Sequence, residues 1–165
     1  MDSLSVARFL SIPSAFLVSG YSIAASQMAV PLVYEQPASV SAPFLRGVFV
    51  RGAAFVVPGA IISSSASAYL AYAIPERRTT LATASILTLL PLAFTRFVMM
   101  KGIQHLIEIS ESAAEQQKGD QNGEVVQLLK AWVAQNWVRA ALAFSGGMLA
   151  LYAYHSSVER RVYRY

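Results

Sequence analysis

Four stretches of this chain stay apolar over lengths that a soluble core rarely uses. They run over about 9–30, 47–74, 80–103 and 132–154. A helix needs about 20 consecutive apolar residues to cross a bilayer, where lipid offers no partners to backbone N–H and C=O groups. Each stretch meets that length. Hydrophobic residues make up 55% of the 165-residue chain and charged ones 13%, against about a quarter charged in ordinary soluble domains. The expected fold is all-α: one integral membrane domain over 1–165, a four-helix bundle of four spans. Arg8 and the Ala-Ala-Ser at 24–26 give the first stretch the flanks of a signal peptide. It is longer than the usual h-region of about 7–15 residues, so it is expected to stay as a span.

The connections are polar. Pro75-Glu-Arg-Arg joins spans two and three, and a stretch holding the turn pair Asn122-Gly123 joins three and four. On both sides of that turn apolar residues recur at helical spacing, as at Ile103, Leu106, Ile107 and Ile109. Helices three and four are therefore expected to extend beyond the bilayer as a hairpin. Arg8, Arg77, Arg78, Arg160, Arg161 and Arg164 fall at one set of span ends, while the hairpin is mostly acidic. The bias places both termini in the cytoplasm and the hairpin in the lumen. With no cysteine and only His105 and His155 as imidazoles, thiolate chemistry is excluded and a histidine-built metal site is unexpected. His105 and Glu108 stand at i and i+3, but one such pair does not make a site. Basic ends on an apolar chain point to a lipid bilayer rather than to nucleic acid.

Lipid gives helices little hydrophobic reason to associate, so small residues and hydrogen bonds must hold them. Span two supplies Gly59, Ser63 and Ser67 on one stripe and Ala60, Ser64 and Ala68 beside it. Span three carries Pro91, and Thr95 four residues later is placed to satisfy a carbonyl that the proline frees. Span four carries Trp132, Asn136 and Arg139 at i, i+4 and i+7, on one face. If helices three and four meet near residue 120, Asn136 falls level with Gln104 and His105, and Arg139 with Lys101. Gln27, Arg51, His105, Asn136 and Arg139 then share a layer. No carboxylate lies at the depth of Arg51, Arg96 or Arg139, and such a site suits an anion: a carboxylate, a phenolate or an enolate. The alternative is that Arg139 snorkels to the interface, Trp132 anchors there and Asn136 only joins two helices.

At these residues the chain resembles the anthrone oxygenase-like family, small four-span membrane proteins of fungal polyketide pathways. Trp132, Asn136 and Arg139 complete that family's fourth-span pattern, W-x-x-x-N-x-x-R. Phe94, Thr95, Met99 and Leu106 follow the third-span pattern, with Ala93 where the family has proline and Ile103 where it has asparagine. The resemblance implies oxidation of a hydrophobic polyketide-like small molecule by dioxygen, with no cofactor, at the endoplasmic reticulum. The reading of the residues is compatible with this: His105 is the candidate base, and Arg51 and Arg139 are the candidate stabilisers of an enolate or phenolate. Asn136 would orient a substrate oxygen or the base, and Trp132, Thr95, Gln27 and Met99 would contact substrate. Two other readings keep the residues: a membrane cyclase or isomerase working by acid–base chemistry, and a non-enzymatic scaffold, either of them compatible with a homo-oligomer.

Overall fold

A computed structural model describes the backbone of residues 2–162 and the side chains through His155. The side chains of Arg160, Arg161 and Arg164, on which part of the expected orientation rests, lie outside the described residues. Helix α1 spans Ser3–Ala24 and begins where Asp2 accepts the Ser5 N–H at 2.8 Å. It widens into a π-helical segment, Ala25–Ala29. Helix α2 spans Ala38–Ala73 and α3 spans Arg78–Phe94. A second π-helical segment, Thr95–Met99, leads into α4, Met100–Glu111. Helix α5 covers Ala113–Asn122 and α6 covers Glu124–Val162. No strand occurs among the described residues, so the fold is all-α.

The four long rods pack in a ring. Helix α1 lies against α2 and α6, and α3 lies against the same two from the other side. Three rods are long and apolar enough to cross a membrane: Ser3–Val33, Ala38–Ala73 and Pro75–Glu111. Their outer faces expose Phe9, Leu17, Ile86 and Phe97, which is consistent with a membrane protein. The fourth expected span, 132–154, lies in α6, which is not among these three. Asn136, Arg139 and the glycines at 146 and 147 lower its apolar content, and it is wedged between α1 and α3.

Small residues set the spacing at the end of the bundle near the termini. Ser63 Oγ donates to the Ser11 carbonyl at 2.8 Å, and the Ser11 and Ser67 hydroxyls meet at 2.6 Å. Ser64 and Ser85 pair hydroxyl to hydroxyl at 2.9 Å across α2 and α3. The stripe expected on span two therefore serves both neighbours, Ser63 and Ser67 toward α1 and Ser64 toward α3; Ala68 is exposed. On α6 the glycine pair does the same. A Cβ on Gly146 would meet the Thr88 methyl and lie 3.0 Å from the Ala84 carbonyl oxygen, while one on Gly147 would lie 3.2 Å from Ala15 Cβ. At this end Arg8 stacks over the Tyr154 ring at 5.2 Å.

The hairpin end is built differently. Leu45, Met99, Ile103, Leu106, Ile109 and Leu129 form an apolar cluster of large side chains. Helix α5 folds across it, and the Asp120 carboxylate accepts the Ala38 N–H at 2.7 Å, capping α2. Two breaks, not one, reverse the chain. Ser112 is extended and its hydroxyl accepts the Glu115 N–H at 3.4 Å; Gly123 then turns with φ 67°, in the left-handed region that glycine tolerates. This corrects the expected register. His105 meets Glu124, Gly102 faces Leu128 and Gly146 faces Thr88, pairs centred on the first half of α5 rather than near residue 120. Asn136 and Arg139 therefore lie beside the end of α3, not beside His105 and Lys101.

His105 Nε2 lies 2.9 Å from Glu124 Oε1, and Nδ1 lies 3.6 Å from Glu108 Oε2. The residues around it, Gln104, Glu108 and Glu111, are polar and exposed, and they lie past the apolar stretch at 80–103. The hydrogen bond to Glu124 raises the histidine pKa above its ordinary 6.5. The same bond lowers Glu124 below its ordinary 4.5.

Two predictions follow from this packing. A methyl at Gly146 has backbone atoms in its way, whereas one at Gly20 has nothing within 4 Å. In detergent, Gly146→Ala should cost about 1–3 kcal/mol by overpacking, and Gly20→Ala should gain up to about 1 kcal/mol of helix propensity. Thermal unfolding reads both; melting temperatures that move the same way would contradict the packing described. The second concerns pH. A raised histidine stabilises below its ordinary value and loses that contribution as pH rises through the raised one; a lowered carboxyl stabilises above its ordinary value and loses it as pH falls. The α4–α6 contact should thus be firmest between pH 4.5 and 6.5. Hydrogen exchange of the amides at 104–108 should slow in that window relative to the intrinsic rate, and His105→Gln should remove the dependence.

Candidate functional site

Between the tight small-residue end and the apolar hairpin end lies a cavity of about 310 Å³, within the usual range for small-molecule sites. All four rods reach it. Its walls are largely apolar, with Phe49 and Val56 from α2 and Leu92 from α3 among them. Its polar groups come from Tyr21 on α1, from Thr95 and Arg96 on the second π segment, and from Trp132, Asn136 and Arg139 on α6.

The fourth-span stripe is thus turned inward. Trp132, Asn136 and Arg139 are all buried, as one face of an uninterrupted helix allows. Asn136 Nδ2 donates to the Ser22 carbonyl and to Ser26 Oγ, each at 2.9 Å, and Asn136 Oδ1 accepts from an Arg139 terminal nitrogen at 2.9 Å. Ser26 lies within the first π segment. The amide has spent both N–H groups and one carbonyl lone pair on the protein, so its work here is to hold Arg139.

Arg139 is 8% exposed, and no carboxylate pairs with it among the described residues. Its Nε is buried without a hydrogen-bond partner in the protein, and so is Trp132 Nε1. A buried donor left unmatched costs about 1–3 kcal/mol. Both residues line one cavity, and a guanidinium there without a carboxylate suits it to an oxygen that accepts hydrogen bonds, above all an anionic one.

Thr95 also lines the cavity, and its hydroxyl donates to the Pro91 carbonyl at 2.8 Å, the bond the sequence suggested. The π turn that Thr95 opens holds one residue more than an α turn and shifts the helix phase beyond it. Met99 consequently points into the apolar cluster, 1% exposed, and Met100 lines the cavity in its place. Arg96 is exposed and lines the cavity, which puts it at the mouth.

Three residues expected in this layer are elsewhere. His105 is bound to Glu124 on the hairpin, because the chain reverses at Ser112 and shifts the register. Arg51 is exposed on the outer side of α2, and Gln27 is exposed on the first π segment; neither lines the cavity. Sequence reasoning missed Tyr21, whose hydroxyl donates to the Val48 carbonyl at 2.9 Å. One signal was available: Ser19, Ser22 and Ser26 repeat at helical spacing on span one, marking the face that α6 needs, and Tyr21 lies next to it. Among the described residues no group of histidines and carboxylates is arranged to hold a metal ion.

The family model described as Anthrone oxygenase matches residues 45–149, well over half of the chain, and that range holds every described lining residue except Tyr21. No curated protein and no solved structure matches the chain. The match runs through three of the four rods that reach the cavity and through the whole Trp132–Asn136–Arg139 stripe, and on it the chain belongs to the anthrone oxygenase family.

Proposed function

We propose that this protein is a membrane-embedded oxygenase that oxidises a lipophilic, anthrone-type aromatic held in the four-rod cavity. The observation that carries the reading is the Arg139 guanidinium, buried without a carboxylate partner among the described residues and lining one largely apolar cavity. An anthrone carries an acidic CH₂ conjugated to a carbonyl. Loss of a proton places negative charge on the carbonyl oxygen, and the guanidinium binds that oxyanion. Stabilising charge where it develops is usually the largest single contribution an enzyme makes. The electrons come from the carbanion itself. Dioxygen forms a C–O bond at that carbon, and loss of water leaves a carbonyl, so that CH₂ and O₂ become C=O and H₂O. The substrate carbon supplies all four electrons that reduce dioxygen, which is why this reading calls for no cofactor.

None of the described lining residues is a carboxylate or an imidazole. The main lever on the carbon acid is therefore its bound oxyanion, and the proton passes to water at the mouth beside Arg96. The membrane reading extends to α6, which crosses beside the other three rods with both termini cytoplasmic. Arg8 and Arg77 at one end of the bundle and the acidic hairpin at the other support that orientation. A reporter fused after Tyr165 should report the cytoplasmic side; a luminal signal would reverse the topology.

The test of the site uses purified protein in detergent with an anthrone and an oxygen electrode. Arg139→Lys keeps the charge but loses the planar donor geometry and the Nε–H. Turnover should fall on the order of 100–1,000-fold, the usual cost of one oxyanion donor, while the protein stays folded and monodisperse. Asn136→Ala should lose activity as well, because it frees the arginine. Turnover within about threefold of the parent in both variants would show that the stripe is packing. Product formed at full rate without oxygen would leave the cyclase or isomerase reading in its place.

A further inference from the structure

Tyr21 is the one described lining residue that comes from α1, outside the matched range. Its ring is fixed from below. A Cβ on Gly52 would lie 2.7 Å from Tyr21 Cε1 and 2.8 Å from Cζ, so the ring rests directly on the α2 backbone and only glycine leaves it room. The Phe55 ring flanks it at 5.9 Å between centroids. The hydroxyl hydrogen is already committed to the Val48 carbonyl. A phenolic oxygen whose hydrogen is committed keeps only lone pairs to offer, so Tyr21 can accept and cannot donate. Tyr21 and Arg139 are close enough to interact electrostatically. The cavity therefore sets an acceptor on α1 near the guanidinium on α6.

We infer that Tyr21 is a specificity-determining residue that accepts a hydrogen bond from a phenolic hydroxyl of the substrate, and that the protein selects hydroxylated polycyclic aromatics over unsubstituted ones. The inference rests on the cavity being the substrate site, as in the proposed function. With the carbonyl oxygen of the ligand toward Arg139, a ring hydroxyl turned toward Tyr21 needs an acceptor there. The surrounding walls are apolar, so a hydroxyl without one would stay unmatched, which is how a polar site separates ligands that differ by one group.

The test measures binding, so that it does not depend on turnover. Trp132 lines the cavity and reports a bound ring by fluorescence quenching once Trp137 is changed to Phe. A dihydroxylated anthraquinone and unsubstituted anthraquinone are titrated in the same detergent. The parent should prefer the hydroxylated ligand by about 3- to 10-fold, the value of one neutral hydrogen bond. Tyr21→Phe keeps the ring on Gly52 and should erase the preference while leaving the affinity for anthraquinone unchanged. A preference that survives in Tyr21→Phe overturns the inference. So does an equal loss for both ligands, because a merely structural ring would weaken both. If the protein consumes oxygen with an anthrone but discriminates between neither ligand, the hydroxyl site fails and the oxygenase reading stands. If the preference is present and depends on Tyr21 but no oxygen is consumed, the site stands and the oxygenase reading falls.

Discussion

A guanidinium cannot stay buried among apolar helices unless something holds it, and in this chain Asn136 does so. One side of the amide fastens to α1 through Ser22 and Ser26, and the other takes an Arg139 terminal nitrogen. The choice of an amide matters. A carboxylate at position 136 would hold the arginine more firmly but would neutralise it, giving a closed ion pair of the kind that membrane bundles use as glue. The amide orients the charge and leaves it in place. The positive end of the cavity is thus a consequence of how α1 and α6 are joined, and the same bonds that fix the helix pair fix the guanidinium.

The space beside that charge follows from a change of side-chain size along the bundle. Toward the termini, serines, alanines and the two adjacent glycines of α6 bring the rods into contact and leave little room. Toward the hairpin, leucines, isoleucines and Met99 fill a wider spacing, closed over by α5. Between them the spacing has already widened, and part of the width stays open. Both π segments lie at this level: one presents Ser26 to Asn136 and the other presents Thr95 and Arg96 to the cavity. Such turns cost regular hydrogen bonds and recur at functional sites because they aim side chains that an α-helix would send elsewhere.

Much of this was legible in the sequence. Apolar runs of spanning length fix the helical class. Spacing alone put Trp132, Asn136 and Arg139 on one face, and Pro91 with Thr95 announced a local bond that forms. What misled was register. The polar stretch after Glu108 reads as one continuing helix, so the turn was placed at Asn122-Gly123 and His105 was drawn to the level of Asn136. The break at Ser112 carried its own signature: Ser112 with Glu115 three residues on is the pattern of a capped helix start. The π segments had no comparable mark. One extra residue in a turn changes no composition, and it was enough to exchange Met99 for Met100. Tyr21 stayed hidden for another reason. Its place follows from Gly52 on a different helix, and contacts between helices are written in neither helix alone.

The same register bears on the two positions where the chain departs from the family's third-span pattern. Ala93 is exposed, and Ile103 is 1% exposed within the apolar cluster; neither lines the cavity. An asparagine at 103 in this chain would stand among Leu45, Leu106 and Leu129, where an unmatched amide is costly. Isoleucine there fits the wide, apolar hairpin end and takes nothing from the polar end of the cavity. Of the residues that follow the two patterns, Thr95, Trp132, Asn136 and Arg139 line the cavity, while Met99 and Leu106 sit in the apolar cluster and Phe94 packs against it. Neither departure falls on a lining position, and the fourth-span residues, which all line the cavity, match the pattern in full.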